Sequence, residues 1–192
     1  MKHEISLSKQ QLRTKIAAIK RNFSAKKLEE MSFEVISRLE QTDEFKNADV
    51  LFIYYSIEDE VCTRGLIEKY IGVKRIVLPV VRGNELLLRE LGDTKHLEIA
   101  SYGISEPKYG TFFGDYSDID IAVIPGVAFD RKMHRLGRGK GFYDRLLSSI
   151  NACKTGICFD FQLRETIPFD ATDVTMDRII SQSEDLRNLN IH

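Results

Sequence analysis

The sequence predicts an α/β fold, an open, largely parallel sheet with helices on both faces. Three observations carry this. Short, nearly continuous apolar runs at 50–55, 75–81, 119–124 and 154–159 have the length and texture of strands buried on both sides. Segments with helical apolar spacing separate them, and such alternation marks a layered α/β domain. The glycine-rich run 135–145 follows shortly after the third apolar run. In such sheets ligands sit beyond the carboxyl ends of the strands.

The elements follow in order. Ser8 to Gln11 has the S-x-x-Q form of a capping box, with Leu12, Ile16 and Ile19 at helical spacing behind it. A second helix is predicted from Ser24, with Leu28, Met31, Val35, Ile36 and Leu39 on one face. Val50 to Tyr55 reads as the first strand. Thr63 is placed to cap a helix through Leu66, Ile67 and Tyr70 that ends at Gly72. Arg75 to Val81 is the second strand, and Arg82-Gly83-Asn84 turns the chain into Glu85 to Leu91 as a hairpin partner. Residues 92–118 are rich in glycine and aromatics with weak periodicity and read as loops that carry function. Ile119 to Ile124 is a strand closed by Pro125-Gly126. A helix then opens on Gly141 and runs from Phe142 to Ile150. Lys154 to Phe159 is a further strand, and 174–180 holds the last.

Composition narrows the class. The length of 192 residues suits one domain, 1–192. With 43% hydrophobic and 30% charged residues the chain reads as an ordinary soluble globular protein. A net charge of −1 gives no basic footprint for nucleic acid. Cys62, Cys153 and Cys158 are odd in number and lack C-x-x-C spacing, so neither a disulfide framework nor a cysteine zinc site is expected. No apolar stretch has signal-core or membrane-spanning character, and a cytoplasmic location is the expectation. His3, His96, His134 and His192 show no metal-binding spacing and read as surface residues.

The chemistry concentrates in Arg135-Leu136-Gly137-Arg138-Gly139-Lys140-Gly141-Phe142-Tyr143-Asp144-Arg145. Glycine permits positive φ and close approach of a ligand to the backbone. Arg138 and Lys140 add charge, and Asp144 offers a hard oxygen ligand for a metal ion. A Walker A loop fails on His134 and Gly141, where it needs Gly and Ser/Thr. A G-x-G-x-x-G fingerprint fails on Phe142. The reading that survives is an anion site at the start of a helix.

Across nearly its whole length the chain resembles the 5-formyltetrahydrofolate cyclo-ligase family, also called 5,10-methenyltetrahydrofolate synthetases. Lys9-x-x-x-Arg13, Tyr55-Ser56 with Glu60-Val61, and Gly103-Ile104-Ser105-Glu106-Pro107 carry the resemblance. So do Pro125-Gly126-Val127-Ala128-Phe129-Asp130 with the run 135–145, Phe161 with Pro168, and Asp177-x-Ile179-Ile180. Phe142 stands where the family usually has tyrosine. The resemblance implies Rossmann-like layering and ATP-dependent closure of 5-formyltetrahydrofolate to 5,10-methenyltetrahydrofolate, with ADP, phosphate and Mg²⁺.

Residue roles are likewise what the resemblance implies. Lys9 and Arg13, one helical turn apart, contact the ATP phosphates; on spacing alone they are a solvated basic face. Arg135, Gly137, Arg138, Gly139, Lys140, Gly141, Phe142 and Tyr143 wrap the nucleotide, with Lys140, Arg138 and Tyr143 in the catalytic set. Tyr55, Glu60 and Tyr143 bind folate. Glu60 read alone is an acid at a helix start, and Tyr143 a core aromatic. Asp144 and Asp177 bind Mg²⁺, although Asp177 equally suits a strand-edge carboxylate. Tyr102 and Tyr109 wall the folate pocket, and Arg145 either pairs with a phosphate or braces Asp144. Asp144→Ala is expected to cost little stability, as a surface carboxylate would. The partners implied are ATP and 5-formyltetrahydrofolate, polyglutamylated or not, with no nucleic acid and no membrane, and the chain acting as a monomer. Two other readings stay open on the residues alone: a non-catalytic folate- or nucleotide-binding module, and a small-molecule kinase using the same loop.

Overall fold

The computed structural model describes residues 2–100 and 103–188, the side chains of residues 2 and 3 excepted. Its centre is a seven-stranded sheet. Strands β1 (Val50–Ile53), β2 (Arg75–Arg82), β3 (Glu85–Leu91) and β6 (Ile121–Ile124) form one half. Strand β6 leads on to β9 (Cys153–Ile157), β11 (Arg178–Ile180) and β12 (Asp185–Arg187). Their spatial order is β12-β11-β9-β6-β1-β2-β3. The inner pairs are parallel, and only the outermost pairs, β11 with β12 and β2 with β3, are antiparallel. The β2–β3 turn depends on Gly83 at φ +59°, a conformation that favours glycine.

Alternation along each strand sends side chains to opposite faces. Leu51 and Ile53 pack with Val35 and Leu39 of helix α2 (Ala25–Glu40), Phe45 of α3 (Asp43–Asn47) and Ile67 of α4 (Arg64–Tyr70). Val50 and Phe52 join Leu146 and Leu147 of α5 (Phe142–Leu147) on the other face. Helices thus cover both faces, as predicted. Helix α2 starts as its sequence says, with the Ser24 hydroxyl accepting from the Lys27 amide. Thr63 precedes α4, but its side chain makes no capping bond. Its hydroxyl instead donates to the Tyr54 carbonyl at 2.7 Å.

Other boundaries differ from expectation. Helix α1 runs Lys2–Lys20, so Ser8 lies inside it and its capping box is not a start. A second, three-stranded sheet joins β7 (Ala128–Asp130), β8 (Arg135–Leu136) and β10 (Leu163–Arg164) in the order β10-β7-β8. Ile16 of α1 packs on this sheet with Ala128, Leu136 and Ile167. A short hairpin, β4 (Leu97–Ile99) with β5 (Ser105–Pro107), lies within the segment read as loops. Among the described residues no helix is long and apolar enough to cross a membrane.

Candidate active site

Strand order locates the site. From β1 the chain proceeds outward through β2 and β3, and from β6 it proceeds the other way through β9, β11 and β12. The carboxyl ends of β1 and β6 therefore flank a topological switch point, where open α/β sheets bind ligands. Tyr54 and Tyr55 follow β1, Pro125 and Gly126 follow β6, and all four line one cavity of about 1100 Å³.

The glycine run forms one wall of it. Gly139 and Gly141 have φ of +99° and +67°. A Cβ on Gly139 would stand 3.3 Å from the Arg13 guanidinium, and one on Gly137 would stand 2.8 Å from Arg135 Nη1. These glycines make room for arginines as well as for a ligand. Arg13 Nε donates to the Gly137 carbonyl at 2.9 Å and ties α1 to the loop. Arg135 is 3% exposed, its Nη2 is 2.8 Å from Asp144 Oδ1, and its guanidinium lies over the Tyr143 ring. Tyr143 stacks on Phe52 at 6.4 Å between ring centroids. Burial pushes the Tyr143 hydroxyl well above its ordinary pKa, so it stays protonated and able to donate.

A network crosses the cavity mouth. Arg138 Nη2 bonds Asp59 Oδ1 at 2.5 Å and Glu60 Oε1 at 3.2 Å, and Lys20 bonds Asp59 from the other side. Burial raises the Glu60 carboxyl above its usual value while Arg138 pulls it down. For Asp59 burial also acts upward, but Lys20 and Arg138 outweigh it and the pKa falls. The loop bearing Tyr55 and Glu60 is pinned by a reciprocal pair, Ser56 N to Thr63 Oγ1 and Thr63 N to Ser56 Oγ, both at 3.1 Å.

Lys9, Arg13, Tyr55, Glu60, Arg135, residues 137–143 and Asp144 all line this cavity. Asp177 does not. Its carboxylate accepts the Lys154 amide at 2.7 Å, and its own amide donates back to the Lys154 carbonyl. It staples the start of β9, as a strand-edge carboxylate does. Asp144 is half-buried rather than a surface carboxylate, and it faces the buried Arg135. Arg145 does not brace Asp144; it donates to the carbonyls of Lys140 and Asn84 and so ties the loop to the β2–β3 turn. Tyr109 is 61% exposed, sits edge-on to His96 and is not part of the cavity wall. Tyr102 lies outside the described residues. His134 is half-buried rather than on the surface, bonded to Asp130 and stacked on Phe169. Asp170 and Asp173, unforeseen in the sequence, both bond Lys9, at 2.7 and 2.5 Å. No residue spacing announces that meeting, since it joins positions 161 and 164 apart.

Comparison with known proteins decides the family. Residues 5–182 match the model of the 5-formyltetrahydrofolate cyclo-ligase family. This chain belongs to the 5-formyltetrahydrofolate cyclo-ligase family. The Haemophilus influenzae 5-formyltetrahydrofolate cyclo-ligase is 32% identical over 181 residues, covering 90% of this chain and 96% of that one. The solved structure of Aquifex aeolicus 5,10-methenyltetrahydrofolate synthetase superposes with a TM-score of 0.87 at 34% identity, over 96% of this chain and 94% of that one. The Mycoplasma pneumoniae 5,10-methenyltetrahydrofolate synthetase, 24% identical with a TM-score of 0.73 over 91% and 98%, shares the fold. The activity of this cyclo-ligase family member is conversion of 5-formyltetrahydrofolate to 5,10-methenyltetrahydrofolate, and the family takes ATP as co-substrate.

Proposed function

We propose that the chain drives ring closure by phosphorylating the formyl oxygen, with both substrates in the switch-point cavity. The formyl oxygen attacks the γ-phosphorus of ATP, the bond to the β–γ bridging oxygen breaks, and ADP leaves. N10 then adds to the activated carbon, the carbon–oxygen bond breaks, and phosphate departs with the former formyl oxygen. The N10 proton passes to solvent or phosphate. The product is the methenyl cation.

Phosphoryl transfer asks for position and charge neutralisation more than for acid–base groups. The observation that carries the reading is the convergence of Lys9, Arg13, Arg138 and Lys140 on the glycine loop in a cavity that also holds Tyr55, Glu60 and Tyr143. In this assignment Arg13 and Lys9 hold ATP phosphates from α1, while Arg138 and Lys140 offset the charge on the transferring group. Tyr143, its ring held by Phe52 and Arg135, presents its hydroxyl to the folate as a donor. Glu60 accepts from the amide and amino donors of the pterin, sharing its charge with Arg138.

Mg²⁺ fits the donor set. Among the described residues no three His, Cys, Asp or Glu side chains gather to cage an ion. Magnesium instead commonly takes one or two carboxylates together with nucleotide phosphates and water, and Asp144 supplies a carboxylate in the cavity. Bound there, the ion would neutralise phosphate charge. The folate is monoglutamyl or polyglutamylated, and the enzyme works as a cytoplasmic monomer. The test is isotopic. With ¹⁸O in the formyl group, the label is expected in inorganic phosphate at one atom per turnover; label released to water instead would exclude phosphoryl activation.

A further inference from the structure

The cavity carries an acid that neither the glycine loop nor the Glu60 loop uses. Glu106, on β5, is 5% exposed and lines the cavity. Its Oε1 accepts the Val81 amide at 2.9 Å. That amide is available because β1 pairs with β2 only as far as Val77, so the following residues of β2 have lost that neighbour. Pro79 has no N–H to satisfy, whereas Val81 has one. Among the described residues Glu106 has no ion-pair partner. The lining around it is apolar: Pro79, Val81, Leu86 and Ile104.

A carboxylate buried against apolar walls is costly unless its oxygens are satisfied, and one amide does not saturate it. A ligand with N–H donors on a flat, otherwise apolar ring would complete it. Phosphates and glutamate carboxylates would be repelled from the same corner. We propose that Glu106 is a specificity-determining residue for the folate: its carboxylate, held on the Val81 amide, accepts ring N–H donors of the reduced pterin and orients the anionic ends away. This rests on the reading of the cavity as the folate site.

Glu106→Gln separates recognition from structure. The amide side chain keeps an oxygen for Val81 but turns its NH₂ toward the ligand's donors. Equilibrium binding of 5-formyltetrahydrofolate to the full chain without ATP should weaken by about 10- to 100-fold, the range of hydrogen bonds to a charged group. Affinity for MgATP and the thermal midpoint should stay at native values. Folate affinity within twofold of native would overturn the proposal. A second measurement needs no variant: a 5-formyltetrahydrofolate with carbon in place of N8, which keeps the amide and amino donors assigned to Glu60 but lacks the remaining N–H of the reduced ring, should bind the native chain at least about tenfold more weakly, and equal binding of the two folates would also overturn it. Native chain that binds no folate at all would sink the folate reading itself, a result distinct from either of these.

Discussion

Arg135 shows how one side chain sets the chemistry of its neighbours. Its guanidinium is buried, its Nε lacks a hydrogen-bond partner, and Asp144 is its counter-ion. Gly137 is needed beside it because a Cβ there would press on Nη1. Removing one partner of a buried pair leaves an uncompensated charge and costs about 3–5 kcal/mol. Asp144→Ala should therefore abolish turnover and also destabilise the fold by about 3 kcal/mol in denaturant titration. Replacing Arg135 with Met in the same background should restore much of the stability and none of the turnover. A stability loss below about 1 kcal/mol in the single variant would mean that the pair is solvent-screened. Asp144 was legible as a carboxylate of the cavity wall from its place in the glycine run. Its structural weight was not, because the burial of Arg135 depends on Phe129 and the small sheet.

At the scale of elements, α1 is held largely by cations. Ile16 is buried on the small sheet, but Lys9 bonds Asp170 and Asp173, Arg13 bonds Gly137, and Lys20 bonds Asp59. Burial works against the Lys9 charge, yet the two carboxylates outweigh it and raise its pKa. The Lys9 bond, with those from Thr172, holds the Asp170 carboxyl well below the usual range. A depressed acid contributes stability above its unfolded value, about 3.9, and loses it as pH falls through the folded value. A raised lysine contributes below about 10.4 and loses it as pH rises through the folded value. The thermal-midpoint difference between native chain and Lys9→Met should thus be flat from pH 5 to 8, and shrink below about pH 4 and again above about pH 10. A difference that changes between pH 5 and 8 would point to another titrating group. The long elements were readable because their periodicity is sustained: Leu28 to Leu39 gave α2, and the run at 119–124 gave β6. β7, β8 and β10 were not, being two or three residues long, with β10 reaching β7 from more than thirty residues away. The box at Ser8 misled because the inward stripe begins earlier, at Ile5.

Across the whole molecule, the switch point between β1 and β6 explains why residues from distant stretches of sequence meet. The most specific stretch of sequence serves this geometry in two ways. In Pro125–Asp130, Gly126 lets Phe129 pack where a Cβ would stand 2.5 Å from its ring, and buried Asp130 accepts the amides of Lys132, His134 and Ile167. That part is scaffold. The run 137–144 is the cavity wall it holds at the strand ends. Sequence alone distinguished the glycine loop from the Walker and dinucleotide types, but only the assembled cavity puts Glu60, Glu106 and Lys9 beside it. The account's central claim is that this cavity couples ATP cleavage to folate ring closure. The most direct test follows the methenyl absorbance and ADP together as purified chain is given 5-formyltetrahydrofolate, ATP and Mg²⁺. The account predicts growth of both in equal amounts, and neither when ATP or Mg²⁺ is left out. ADP formed without methenyl product, or methenyl product formed without ATP, would contradict it.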